Sequence, residues 1–188
     1  MFTNPVDLSF SPPQNFFMSI NNFPELQFTV QRVQIPSVAA EEVLLPNNVN
    51  PNKVFTPGEG VDYAPLSVEY LIDKDFKNYR SLLEWVKACG KPEGADQYNR
   101  FITNNEVNRL NNDNFQNLMS RITITGTDAG LTPLVAWTFE GCFPTDLDGP
   151  QFDATVQDIE YMQSAVTFRY RYFTMNTYTN GASNNDAI

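Results

Sequence analysis

Histidine is absent from this 188-residue chain, and with it go His-dependent triads, imidazole general bases and nearly every catalytic zinc site. Cysteine is almost as scarce. Only Cys89 and Cys142 occur, too far apart in sequence to form a metal-ligand or redox motif. They read either as two small buried hydrophobes or, in an oxidising compartment, as a bridge. Positive charge is in deficit, with 12 Lys and Arg against 22 Asp and Glu for a net charge of −10. A surface that acidic repels phosphate and anionic lipid, which argues against a nucleic-acid or membrane grip. No apolar run approaches the roughly 20 residues that a helix needs to span a bilayer. Met1 to Pro5 lack the basic and apolar stretches of a secretory leader, so assembly in a cytoplasm is expected.

What is plentiful points to β structure. There are 15 Phe and 8 Tyr, and 13 Pro outnumber 9 Gly, which suits strands joined by stiff turns. The length, with 41% hydrophobic residues, suits a single domain over residues 1–188. Alternation marks the strands. Phe16 to Ile20 is a short one. Leu26, Phe28 and Val30 alternate with Gln27 and Thr29, and the phase then slips at Gln31-Arg32 to Val33 and Ile35, as at a bulge. Leu66, Val68 and Tyr70 form another strand, as do Ile122 with Ile124, and Val135, Trp137 and Phe139. Near the end, Val166, Phe168, Tyr170 and Tyr172 face one way, while Thr167, Arg169 and Arg171 face the other. This pattern predicts one long final strand.

A helix interrupts them. Asp73 and Asp75 offer capping oxygens; Phe76, Tyr79, Leu82, Leu83 and Val86 make an apolar stripe; Gly90 and Pro92 end it. Residues 1–15 read as an extended arm, 96–116 as a polar surface insert anchored by Phe101, Ile102, Val107, Leu110 and Phe115, and 176–188 as a flexible tail. The span 36–61 is too apolar for a solvated loop and too rich in proline for core strands. It reads either as a protruding hairpin whose dry side, Val43-Leu44-Leu45, meets a neighbouring molecule, or as an irregular loop folded back on its own domain.

Carboxylates are the only plentiful reactive groups. Asp146, Asp148, Gly149 and Asp153 resemble part of a calcium loop, but the terminal bidentate Glu is missing and Pro150 intrudes, so a turn between strands is the better reading. Glu41-Glu42 or Asp73 with Asp75 would be the pair of an acid-dependent hydrolase, although nothing else marks a sugar site. No nucleophile elbow, S-x-x-K or P-loop occurs. Trp85 and Trp137 read as core. Arg169 and Arg171 either face solvent or pair with acids of an adjoining subunit.

Taken together, several segments resemble the tail tube proteins of contractile-tailed bacteriophages. They are Val33-Gln34-Ile35-Pro36, Thr56-Pro57-Gly58-Glu59 with Leu66 to Asp73, and Phe76-Lys77-Asn78-Tyr79 with Leu82, Leu83 and Trp85. Phe143-Pro144-Thr145 then resembles the family's last turn, and Ile159, Val166, Phe168, Tyr170 and Tyr172 its last strands. The resemblance implies a mainly β fold, an antiparallel sandwich or barrel like the type VI secretion tube, with one flanking helix and a long protruding hairpin. It implies hexameric rings stacked into a hollow cylinder, rings tied together by the hairpin, and no enzymatic activity or cofactor. The implied partners are other copies of the chain, tail sheath and baseplate proteins, and DNA passing through the lumen without specific binding. The place is the tail of a virion. A baseplate tube initiator has the same fold and is the alternative within this class; a non-viral secretion tube is a third reading. Val43, Leu44, Leu45, Arg169 and Arg171 are the candidate inter-subunit residues.

Overall fold

The computed structural model describes residues 15–21, 23, 27, 29–45, 53–90, 92, 94–104, 118–152, 161–179 and 182–184. In chain order the strands are β1 (Phe16–Ile20), β2 (Val30–Gln34), β3 (Val38–Leu45), β4 (Val54–Tyr63), β5 (Leu66–Leu71), β6 (Ser120–Thr127), β7 (Pro133–Leu147), β8 (Gln163–Arg169), β9 (Tyr172–Thr179) and β10 (Ala182–Asn184). Helices α1 (Lys77–Gly90) and α2 (Ala95–Asn104) lie between β5 and β6. The fold is mainly β, and every strand pair is antiparallel.

One sheet runs β1-β6-β7-β9-β10 and the other β2-β5-β8-β7, so the 15-residue β7 belongs to both. Its first part pairs with β6 and β9; from Phe143 onward it pairs with β8. The crossing lies at Gly141, whose φ of 67° is in the left-handed region that glycine enters without a Cβ penalty. The stem of Arg171 covers it: a Cβ on Gly141 would come within 3.0 Å of Arg171 Cγ and Cδ. Phe143-Pro144-Thr145 is therefore strand, with an irregularity between Pro144 and Asp146, and not a turn.

The partner strand turns the same corner. In place of one long final strand there are two, broken at Tyr170-Arg171, with β8 in one sheet and β9 in the other. The phase changes there: Phe168 is buried and Tyr170 half-buried, but Tyr172 is exposed and Phe173 turns inward against Phe139 (ring centroids 5.2 Å). The slip at Gln31 is present as a register shift between Val30 and Arg32. That strand begins only at Val30, with Gln27 and Thr29 in turns; Leu26 and Phe28 lie outside the described residues.

Inward-facing Met18, Ile20, Ile122, Ile124 and Phe139 meet Leu66, Val68, Tyr70, Val166 and Phe168 of the other sheet, and α1 closes one side. Trp85 is fully buried, stacks on Phe23 at 4.7 Å and donates from Nε1 to the Leu118 carbonyl at 2.7 Å. The buried face of α1 is Asn78, Leu82, Trp85 and Ala88, so the helix is rotated from the expected stripe; Tyr79, Leu83 and Val86 are half-buried beside it. The bulk of Trp85 sets that rotation. Neither Asp73 nor Asp75 caps the helix among the described contacts. The Phe76 carbonyl accepts the first helical bond, from Arg80 N–H at 2.9 Å.

Asn78 fastens the helix to the sheet. Its Oδ1 accepts from the N–H of Asp73 (3.1 Å) and of Tyr79 (2.8 Å), and its Nδ2 donates to the Leu71 carbonyl (2.8 Å) and to Thr29 Oγ1 (3.4 Å). Replacing Asn78 by Ala takes a partner from three backbone groups in part-buried bonds and is expected to cost about 2–3 kcal/mol, read as a lower urea midpoint at unchanged slope.

Two further expectations are corrected. The insert 96–116 opens as a helix, α2, whose buried Phe101 lies against Trp85 (6.5 Å) and Phe23 (6.2 Å); Val107, Leu110 and Phe115 lie outside the described residues. The tail 176–188 is not featureless, since Asn176 to Thr179 continue β9 and Ala182–Asn184 pair back onto it as β10. The expected arm falls on residues outside the described ones except for Asn15, which holds Thr127 and Asp128 through its carbonyl (3.0 Å) and Nδ2 (3.1 Å).

Candidate inter-subunit surface

β3 and β4 pair with each other in a separate two-stranded ladder, apart from both sheets. The span read as either hairpin or folded-back loop is the hairpin. All eight residues of β3 are exposed. In register, Leu44 stands opposite Phe55, while Val43-Thr56 and Leu45-Val54 lie on the other face. Val43, Leu44, Leu45 and Phe55 are 49%, 50%, 44% and 51% exposed, so both faces near the free end are apolar and bare. A two-stranded ribbon is marginal in water by itself, and a contiguous exposed apolar patch marks a contact surface.

The register shifts where β4 carries the extra residues: Glu41, between Ala40 and Glu42, stands alone opposite Gly58, Glu59 and Gly60. Glu41 lies across the two glycines: a Cβ at Gly58 would be 2.9 Å from Glu41 Cβ, and one at Gly60 would strike the Glu41 carboxylate. Close approach to the backbone and Cβ of Glu41 favours glycine at Gly58, whereas at Gly60 the neighbour is the movable end of an exposed side chain.

The root of the ribbon is held firmly. The Tyr63 ring packs on Tyr170 (5.8 Å) and edge-on to Phe173 (5.7 Å), and the Tyr170 hydroxyl donates to the Ala64 carbonyl at 2.8 Å. Arg169 Nη1 reaches the Tyr63 carbonyl at 3.4 Å. Arg169 and Arg171 are both exposed at this corner, and neither is in an ion pair among the described residues. The arginine pair and the ribbon's root are thus neighbours, while Val43 to Leu45 stand at the far end of the arm.

The carboxylates are scattered. Glu41 and Glu42 lie on the arm, whereas Asp73 and Asp75 precede α1, where Asp75 meets Lys77 at 3.4 Å. Asp146 belongs to β7 and its Oδ1 accepts from Leu147 N–H at 3.1 Å, so the turn begins only after Leu147; Asp153 lies outside the described residues. No cluster of three or more metal-binding side chains occurs among the described residues. Likewise, no helix among them is long and apolar enough to cross a membrane.

Cys89 and Cys142 are free thiols. Burial pushes Cys89 up to about 11 and Cys142 up to about 12, and it lifts the Tyr70 and Tyr170 phenols to about 12. Each group keeps its proton more tightly folded than unfolded. Their contribution is therefore complete below the ordinary values of 9.0 and 10.0 and is lost as pH rises toward about 12. Melts between pH 8 and 11 are expected to show a falling Tm, and a maleimide at pH 8 is expected to label both thiols quickly only in denaturant.

The same fold occurs in solved assemblies. A chain of the PVC extracellular contractile injection system, sheath–tube complex in its extended state, is similar at TM-score 0.60 and 18% identity, covering 91% of this chain and 94% of that one. A chain of the anti-feeding prophage tube-terminating cap is similar at TM-score 0.61 and 18% identity, over 95% and 100%. An Hcp protein is similar at TM-score 0.50 and 11% identity, over 90% and 96%. No curated protein matches the chain in sequence. The chain thus shares its antiparallel β fold with chains of these solved assemblies. The chain belongs to the phage tail tube protein family, whose model matches residues 2–176. It is a structural protein of a tail tube.

Proposed function

We propose that copies of this chain close into hexameric rings, that the rings stack into a hollow cylinder, and that the β3-β4 arm inserts Val43, Leu44 and Leu45 into a neighbouring subunit. The observation that carries the reading is the arm itself, apolar on both faces and bare on its own domain. A subunit with a donor arm on one side and an acceptor elsewhere joins head to tail, and such contacts close into rings or extend as filaments. Arg169 and Arg171 belong to the same contact zone. The domain works as one unit over residues 1–188 and performs no catalysis.

DNA is the cargo that passes down the bore during ejection. A subunit with a net charge of −10 favours an anionic lining that opposes phosphate adhesion, within a screening length of about 8 Å. A sheath outside and a baseplate below are the proposed partners. Solved structures sharing the fold come from a sheath–tube complex and from the anti-feeding prophage baseplate. The particle is assembled in the host cytoplasm and ends in the tail of a virion or a related injection device.

Similarity to a terminating cap and to a baseplate chain favours one second reading, a subunit that starts or ends the tube. Negative-stain microscopy of the purified chain separates the two. Long cylinders are expected of the repeating subunit, and a single ring of an initiator or terminator. Lone particles at high concentration sink both, and carboxylate-dependent turnover of a polysaccharide would put an acid-pair hydrolase in their place.

A further inference from the structure

Two sets of unpaired charge stand at different distances along the hairpin. Ion pairs among the described residues engage Arg32, Lys77, Arg80 and Arg121. Among the described residues, Arg169 and Arg171 at the root stand outside these ion pairs, and so do the arm carboxylates Glu41, Glu42, Glu59 and Asp62. Both arginines are pre-positioned. The contact with the Tyr63 carbonyl holds one, and the seat of its stem on Gly141 holds the other. Less side-chain freedom is then lost when an anion arrives.

No ion pair joins the two sets among the described residues, and Glu42 stands farther out than Glu59. Glu42 is in register with Pro57, six residues out from Tyr63. At about 3.3 Å per residue, less some foreshortening at the bulge, its carboxylate stands roughly 15–20 Å from the root, beyond the length of an arginine side chain. A polypeptide this acidic has few cations, and two of them stand near the root with no carboxylate paired to them among the described residues.

We propose that the Arg169-Arg171 corner of one subunit receives the carboxylates of Glu42 and Glu59 on the arm of another copy. The inference rests on the tube reading and names the pairing that sets its register. Donor and acceptor are different patches of one chain, so the contact is head to tail and propagates. The apolar end of the arm supplies burial, and the charge pairs supply orientation and sensitivity to salt.

The test uses two full-length double variants, Arg169→Glu with Arg171→Glu and Glu42→Lys with Glu59→Lys. All four positions are exposed, and thermal melts matching wild type check that the variants fold. Each variant alone is expected to lower the polymer pelleted by centrifugation at least about tenfold, since every contact now opposes like charges. Mixed one to one, they are expected to co-assemble, because each arm then finds a complementary corner on the other variant. If wild type polymerises and the variants do so equally well, the pairing is wrong while the tube reading stands. If both variants fail and the mixture stays unassembled, the pairing is again wrong and the arginines serve another anion. If wild type yields no polymer, the tube reading fails and takes the pairing with it.

Discussion

Tubes are expected to vanish, and folded single subunits to remain, when Leu44 is replaced by aspartate. Leu44 is half exposed and opposes Phe55 on an arm outside the core. The fold therefore loses little, within about 0.5 kcal/mol, as for other surface changes. Assembly loses far more. An unpaired carboxylate pressed into an apolar seat costs several kcal/mol, and in the proposed assembly the same penalty recurs at every contact. Leu44→Met keeps volume and polarity and is expected to polymerise normally. Sedimentation with electron microscopy reads the outcome. Cylinders of ordinary length from the aspartate variant would remove the arm from the interface.

Truncating Trp85 to alanine is expected to have the largest effect on the subunit itself. The ring is fully buried and touches Phe23, Phe101 and Phe168 from three directions, and its N–H satisfies the carbonyl of Leu118. Removing it leaves a cavity where Phe23, α1, α2 and β8 converge and takes the hydrogen bond from the Leu118 carbonyl. Losses of about 3–5 kcal/mol are usual for such a change. For a domain of this size that lowers Tm by about 6–20 °C, and it takes a large share of a typical folding stability of about 5–15 kcal/mol. Phenylalanine at the same place keeps most of the packing but not the hydrogen bond, so Trp85→Phe is expected to fall between the two. A Trp85→Ala protein melting within two or three degrees of wild type would mean that the three aromatic contacts contribute little.

Much of this architecture is legible in the residues, and the illegible parts have identifiable causes. Leu66-Ser67-Val68-Glu69-Tyr70 alternates without interruption because that strand is central, and the observed β5 adds only Leu71. The hairpin was detectable because apolar residues sat among prolines and glycines, where neither core nor loop suited them. The corner at Tyr170-Arg171 was hidden: alternation of aromatic and arginine continues straight through it, and the glycine that permits the bend, Gly141, is on the neighbouring strand. Asn78 was missed because a polar residue on a helix reads as solvent-facing. Its value lies in matching one side chain to donors and acceptors brought from β5 and Thr29. The polar composition around α2 masked a short apolar signal, Tyr98 and Phe101 three residues apart. The last hairpin carried a plain signal that was overlooked, since Asn180-Gly181, a dipeptide favoured between paired strands, stands between β9 and β10. The candidate interface residues are legible as anomalies of composition, but their grouping into a bare far end and a charged root needs the register.

The sharing of β7 between the two sheets has a mechanical consequence. In a sandwich whose layers touch only through side chains, sideways force can peel one layer from the other a few contacts at a time. Here a single uninterrupted backbone is laced into both layers by antiparallel ladders, turning at Gly141. To delaminate, the subunit must break those ladders on both sides of the bend together, with the bonds strained in parallel instead of unzipped in series. Load applied across the sandwich is thus carried by backbone ladders as well as by side-chain contacts.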